Sequence, residues 1–186
     1  MPSTKQEIYA TTFIRRQHDQ IRELFDAVER AEPEARAEAF EPLVRLLAVH
    51  ETAEEMVIYP MAKGGEAGKE IVEQRKAEED QAKKMLVDLE KMDPATSEFM
   101  NALASFRQDV LNHAEAEELE VFPLLTEVAD AEELKDMTRR LEMAEGMAPT
   151  HPHKTAPESA TGNMLMGPFV AMVDRVRDAI RDAGKD

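Results

Sequence analysis

Residues 50–60 and 113–123 are two copies of one pattern. His50-Glu-Thr-Ala-Glu54-Glu55 runs on to Tyr59-Pro60, and His113-Ala-Glu-Ala-Glu117-Glu118 runs on to Phe122-Pro123, so the matching positions stand 113 − 50 = 63 residues apart. Each copy fills a gap in an apolar stripe of helical period. Leu43, Leu46, Leu47, Val57, Ile58 and Met61 flank the first, and Leu103, Phe106, Val110, Val121, Leu124 and Val128 flank the second. A His and a Glu four residues apart share one helix face, so the sequence asks two helices to turn an imidazole and a carboxylate into a core. Buried ionisable groups are costly unless they pair with each other or bind a metal. With 39 acids in 186 residues, a single His-x-x-x-Glu is weak evidence of a site. The doubled pattern, centred on two apolar stripes, is strong evidence, with a metal-free hydrogen-bonded network as the alternative.

The punctuation around these copies predicts an all-α fold. Glu32-Pro33, Lys63-Gly64-Gly65 with Gly68, Met92-Asp93-Pro94, and Gly146 with Pro149 and Pro152 separate long runs of helix-forming residues. Four helices are expected over 5–31, 34–62, 66–91 and 95–128, and loops this short make an up-down-up-down four-helix bundle. Additional C-terminal helices follow: a short stretch to about 144, and an amphipathic segment with Met166, Phe169, Val173, Val176 and Ile180 at spacings of three and four. The expected organisation is a bundle over 1–146, a loop or flexible tail over 147–162, and a C-terminal helix within 163–186 packed on the bundle.

The repeat extends to the other two helices. His18-Asp19-Gln20 aligns with Glu79-Asp80-Gln81 at an offset of 79 − 18 = 61. Each residue lies on its own apolar stripe, so six inward donors are expected: His18, His50, Glu54, Glu79, His113 and Glu117. Three imidazoles and three carboxylates suit first-row transition metals better than calcium or magnesium, and two helices of this kind can hold a pair of ions. The chain has no cysteine, which removes disulfides, thiolate zinc sites and iron–sulfur ligation. Its 23 basic against 39 acidic residues give a net charge of −16, which repels nucleic acid and attracts cations. No leader-like or membrane-spanning apolar run is found, so a cytoplasmic protein without a membrane partner is expected.

These residues resemble the hemerythrin-like, or HHE cation-binding, family. The resemblance covers about residues 10 to 128 and rests on His18 and the paired His50-x-x-x-Glu54 and His113-x-x-x-Glu117, with their downstream Tyr-Pro and Phe-Pro. It implies a non-haem di-iron centre, two irons with an oxo or hydroxo bridge, in a four-helix bundle, with manganese or zinc fitting less well. The implied partners are small oxidants such as O2, H2O2 and NO, and the implied roles are oxygen binding, defence against oxidative stress or iron handling. Carried over, His18, His50, Glu54, His113 and Glu117 are ligands. The family commonly has a further histidine on the third helix after a Glu, and here Glu78 is followed by Glu79. A carboxylate there favours ferric iron and argues against reversible oxygen carriage. It leans toward peroxide- or oxygen-reducing chemistry, or toward an iron or redox sensor without catalysis that a protein partner reads.

Other features have simpler readings. His151 and His153 either fold back to replace the missing nitrogen or lie exposed. Tyr59 reads as packing, because its repeat counterpart is Phe122. Glu51, Glu55 and Glu118 read as solvent-facing, and the 12 methionines as core filler.

Overall fold

The computed structural model describes residues 9–64, 66–147 and 168–183, and all regular structure among them is helical. The expected 147–162 loop from residue 148 onward, with His151 and His153, and Met166 fall outside the described residues. α1 spans Ala10–Arg30, α2 Arg36–Ala53, α3 Tyr59–Ala62, α4 Glu66–Leu89, α5 Ser97–Ala116, α6 Phe122–Val128, α7 Ala131–Met147 and α8 Pro168–Ala183. The short segments π1 (Glu54–Ile58) and π2 (Glu117–Val121) join α2 to α3 and α5 to α6. No helix among the described residues is long and apolar enough to cross a membrane.

Local chemistry sets the turns. α1 ends at an extended Ala31, and Pro33 keeps the next residue, Glu32, from resuming the helix. Thr96 caps α5 by accepting from the Phe99 amide at 3.2 Å, a contact worth about 1 kcal/mol. Asp130 and Glu133 form a capping box at the start of α7. The Asp130 carboxylate accepts from the Glu133 amide at 2.9 Å, and the Glu133 carboxylate accepts from the Asp130 amide at 2.8 Å. Arg36, almost fully buried, donates to the carbonyls of Pro94 at 2.7 Å and Ala31 at 3.2 Å, so one guanidinium ties the two loops at that end of the bundle.

The expected second and fourth helices are each interrupted at the same repeat position. A proline has no N–H and its ring collides with the carbonyl four residues back, so neither Pro60 nor Pro123 fits a straight α-helix. The chain accommodates each by widening the turn before it, and the amides of Tyr59 and Phe122 reach back five residues to the carbonyls of Glu54 and Glu117. Such π turns are commonly found at functional positions.

The core is split into two apolar clusters. Phe13, Ile14, Ala53, Ile58, Val72, Val121 and Leu125 belong to one, and Ile21, Phe25, Leu43, Leu86, Leu103 and Phe106 to the other. Edge-to-face ring pairs, Phe25 with Phe106 at 5.7 Å and Phe40 with Phe99 at 5.2 Å, stiffen the second. The inward His and Glu residues form the layer between them. α8 packs on α2 and α7, with Val173 in one cluster and Val176 and Ile180 in the other.

Gly68 is where α4 passes closest to the end of α3. A Cβ there would stand 2.1 Å from the Ala62 carbonyl oxygen, a backbone atom that cannot swing away. Gly68→Ala is therefore expected to destabilise the fold by about 1–3 kcal/mol despite the better helix propensity of alanine. A urea titration showing no loss would mean that α3 and α4 separate freely.

Candidate metal centre

The layer between the two clusters contains all six donors expected from the sequence. α1 supplies His18, α2 His50, α4 Glu79 and α5 His113, while Glu54 and Glu117 are the first residues of π1 and π2. Five of them are at most 3% exposed, and the His113 side chain is 12% exposed. Their atoms converge in two overlapping groups, His18 with His50, Glu54 and Glu117, and Glu54 with Glu79, His113 and Glu117. Within each group one donor atom per residue lies within 4.8 Å of the others. Glu54 and Glu117 belong to both groups. The halves of the repeat thus meet about a pseudo-twofold axis, on which His18 corresponds to Glu79, His50 to His113 and Glu54 to Glu117.

The histidines are aimed by partners from other helices. His18 Nδ1 lies 2.9 Å from Glu118, His50 Nδ1 3.1 Å from Gln17 Oε1, and His113 Nδ1 3.0 Å from Glu78. Each partner atom only accepts, so Nδ1 carries the hydrogen and Nε2 turns its lone pair inward. Every holder adjoins a donor in sequence: Gln17 precedes His18, Glu78 precedes Glu79, and Glu118 follows Glu117. Gln17 is oriented in turn by its amide donating to Glu145 of α7 at 3.2 Å. Gln17 and Glu78 are repeat counterparts, at the same offset of 78 − 17 = 61, and that was the sequence signal for their shared role.

The inner atoms lack partners. His18 Nε2, His113 Nε2, both oxygens of Glu54, Glu79 Oε2 and Glu117 Oε2 are buried with no hydrogen bond. Across the layer, His18 Nε2 is 3.4 Å from Glu117, His50 Nε2 3.4 Å from Glu54 and His113 Nε2 3.6 Å from Glu117, without hydrogen-bond geometry. A self-satisfied polar network does not leave its inner atoms unpaired. Converging lone pairs are what a cation requires, so the residues present fit a pair of metal ions.

The electrostatics agree. Burial and the charges of Glu117 and Glu79 raise Glu54 well above the ordinary glutamate range, and burial raises Glu79 to about 8. Burial and the neighbouring His18 hold His50 neutral down to about 3. Glu117 goes the other way: its burial penalty is outweighed by the neighbouring histidines, His113 above all, and it stays ionised. Without a cation the layer keeps protons on two of its three inward carboxylates.

The readings of Tyr59, Glu51, Glu55 and Glu118 are corrected. Five residues on a straight α-helix carry a side chain about 140° past Glu54, whereas the π turn brings position five back toward the same face. Tyr59 is consequently buried, and its hydroxyl meets Glu117 at 2.6 Å and also Glu79. Its one hydrogen can serve only one of the two carboxylates at a time. Phe122, its counterpart, stacks parallel to His18 with ring centres 6.1 Å apart. Glu118 is half-buried against His18, Arg15 and Arg22. Glu55 is half-buried because Arg177 of α8, at 3.2 Å, and Lys83 both reach it. By the pseudo-twofold Glu55 should hold a histidine at position 79, as Glu118 holds His18. With Glu79 there, the Lys83 ammonium stands between the two carboxylates, 3.5 Å from Glu79 Oε2. Glu51, 4% exposed, is buried beside the layer. These departures need contacts from other helices, which periodicity along one helix cannot reveal.

Residues 9–125 match the family described as hemerythrin HHE cation-binding domain. An uncharacterized hemerythrin-like protein of Schizosaccharomyces pombe is 33% identical over 134 residues, which is 71% of this chain and 66% of that one, a little under two thirds of its length. The crystal structure of a hemerythrin HHE cation-binding domain-containing protein from Mycobacterium kansasii superposes with a TM-score of 0.68. It covers 90% of this chain and 99% of the other at 22% identity, a likeness of fold.

Proposed function

The chain belongs to the hemerythrin HHE cation-binding domain family, and from that premise we propose that it is a non-haem di-iron protein that reduces or decomposes small oxidants, hydrogen peroxide above all. The observation that carries this reading is the pair of donor groups sharing Glu54 and Glu117, because two bridging-capable carboxylates between two partly imidazole sets suit a coupled pair of redox-active ions. Iron bound there would supply electrons in passing from ferrous to ferric, and the oxidation of a second peroxide to O2 would return them. His18 and His50 would hold one ion, His113 and Glu79 the other, and the hard carboxylate of Glu79 favours the ferric form of the second.

The chain's own groups supply the rest. Reducing one peroxide to two waters consumes two protons as well as two electrons. The Tyr59 hydroxyl holds a proton between Glu79 and Glu117, inside the donor layer. A cavity of about 210 Å³ reaches the centre between α1, α2, α4 and α5; apolar Leu47, Ala82 and Val110 alternate in its lining with acidic and amide side chains, and its size admits small molecules. Nothing in it offers the basic groups that would fix a large anionic substrate.

The test is elemental analysis of protein isolated without added metal, followed by peroxide consumption. About two irons per chain with turnover that falls at least about a hundredfold in His113→Ala is the expected result. Unchanged turnover in that variant would sink the catalytic reading. Iron without turnover would favour the sensor reading, which the Arg177–Glu55 ion pair supports, since it links α8 to the residue beside Glu54.

A further inference from the structure

The centre has one buried carboxylate too many. Glu51 lies next to His50 in sequence, is 4% exposed, and its Oε2 has no hydrogen-bond partner. It belongs to neither donor group. Its side chain lines the cavity that runs from exposed Gln81 and Asn112, beside Asp109, inward to His50, His113 and Glu79. At the mouth, Gln81 donates weakly to Asp109 at 3.4 Å. Glu51 Oε2 is 3.8 Å, and Glu79 Oε2, likewise without a hydrogen bond, 3.5 Å from one ammonium, that of Lys83. A side chain kept only for packing would be apolar, because a buried carboxylate that one ammonium approaches at 3.8 Å, with an oxygen lacking any hydrogen bond, weakens a fold.

We propose that this cavity is the route by which a divalent cation reaches the centre, with Glu51 as its transit ligand. The cation is drawn in past Asp109, is held by Glu51 together with Glu79, and passes to the donor group that contains Glu79. Between loadings the Lys83 ammonium lies against the same two oxygens. The Lys83 side chain is 22% exposed on a flexible stem, so it can yield the oxygens to a doubly charged ion, which they attract more strongly. An ion that sheds water in so narrow a passage needs compensation, and a buried carboxylate in its lining supplies it. Glu79 serves both stages, as transit partner and as final ligand. This route rests on the proposed metal centre, but it concerns how fast the centre fills, whereas the centre itself concerns whether it fills.

The experiment follows cobaltous ion entering metal-free, full-length protein by stopped-flow absorption, with the final cobalt content measured separately. Glu51→Gln keeps the size and shape of the side chain and is expected to load to the wild-type cobalt content at least about tenfold more slowly. Asp109→Asn, a variant at the half-exposed mouth whose folding is not in question, is expected to slow uptake in the same direction. Glu32→Gln, which removes one exposed charge in the α1–α2 turn, should keep the wild-type rate. Wild-type uptake in Glu51→Gln, or equal slowing in Glu32→Gln, overturns the route. A reduced final content in Glu51→Gln also overturns it, because Glu51 would then be part of the centre. Wild-type protein that takes up no cobalt would instead overturn the metal centre.

Discussion

Glu117→Gln is expected to empty the centre, whereas His18→Ala is expected to leave it half filled. Glu117 serves both donor groups and His18 only one, so the two variants separate shared from unshared ligands. Gln keeps the size of Glu117 and can still accept from Tyr59, so the local packing survives. What disappears is the ionised group that both ions need, the one carboxylate of the layer that stays charged without them. Elemental analysis after dialysis should find close to no metal in Glu117→Gln and about one ion per chain in His18→Ala, since losing a shared charged oxygen weakens both sites and losing one imidazole weakens one. Both ions retained in Glu117→Gln would mean that Glu117 bridges nothing. Both lost in His18→Ala would mean that neither site exists without the other.

Removing the metal should also destabilise the fold, by an amount that grows with pH. Any ligand that binds only the folded chain stabilises it by about 4 kcal/mol at a thousand times its dissociation constant. The pH dependence comes from the protons that the metal-free layer retains. Glu79 is raised to about 8 by burial, Glu51 to about 8 by burial and the charge of Glu79, and Glu54 is raised as well, against an ordinary value of 4.5. Between pH 4.5 and about 8 the folded, metal-free chain holds protons that the unfolded chain releases. Its stability is therefore greatest at the low end of that window and falls as pH rises. His50 has the opposite sign: it stays neutral down to about 3, so its share is lost as pH drops below 6.5. One histidine does not cancel three carboxylates. Bound metal replaces the protons on Glu54 and Glu79, so the loaded protein escapes most of the loss. The gap in Tm between loaded and chelated protein should widen steadily from pH 5.5 to pH 8. A gap that is absent or independent of pH would mean that the six residues balance one another without a cation.

Much of this arrangement was legible in the chain. Four helices follow from the spacing of apolar residues and from Pro and Gly at the breaks, since both signals are local and repeat every 3.6 residues. The six inward donors follow from His and Glu standing where that spacing calls for Leu or Val. The two breaks at Pro60 and Pro123 were visible as residues, but their result, a π turn that swings Tyr59 into the layer, depends on how each helix relieves a carbonyl clash while its neighbours hold its ends.

By itself the sequence determined an all-helical chain in two similar halves, each bringing one donor from its first helix and a His-Glu pair from its second. It also determined the asymmetry of the site, because Glu79 stands where the other half has His18. The tertiary structure decided which histidine nitrogen faces inward, since Gln17, Glu78 and Glu118 each reach a histidine on another helix. It also decided that Glu54 and Glu117 are shared, that Lys83 settles between Glu55 and Glu79, and that Glu51 is buried rather than solvated. Periodicity reports which side of its own helix a residue occupies, while hydrogen bonds and unpaired charges arise from distances between helices that only their packing sets.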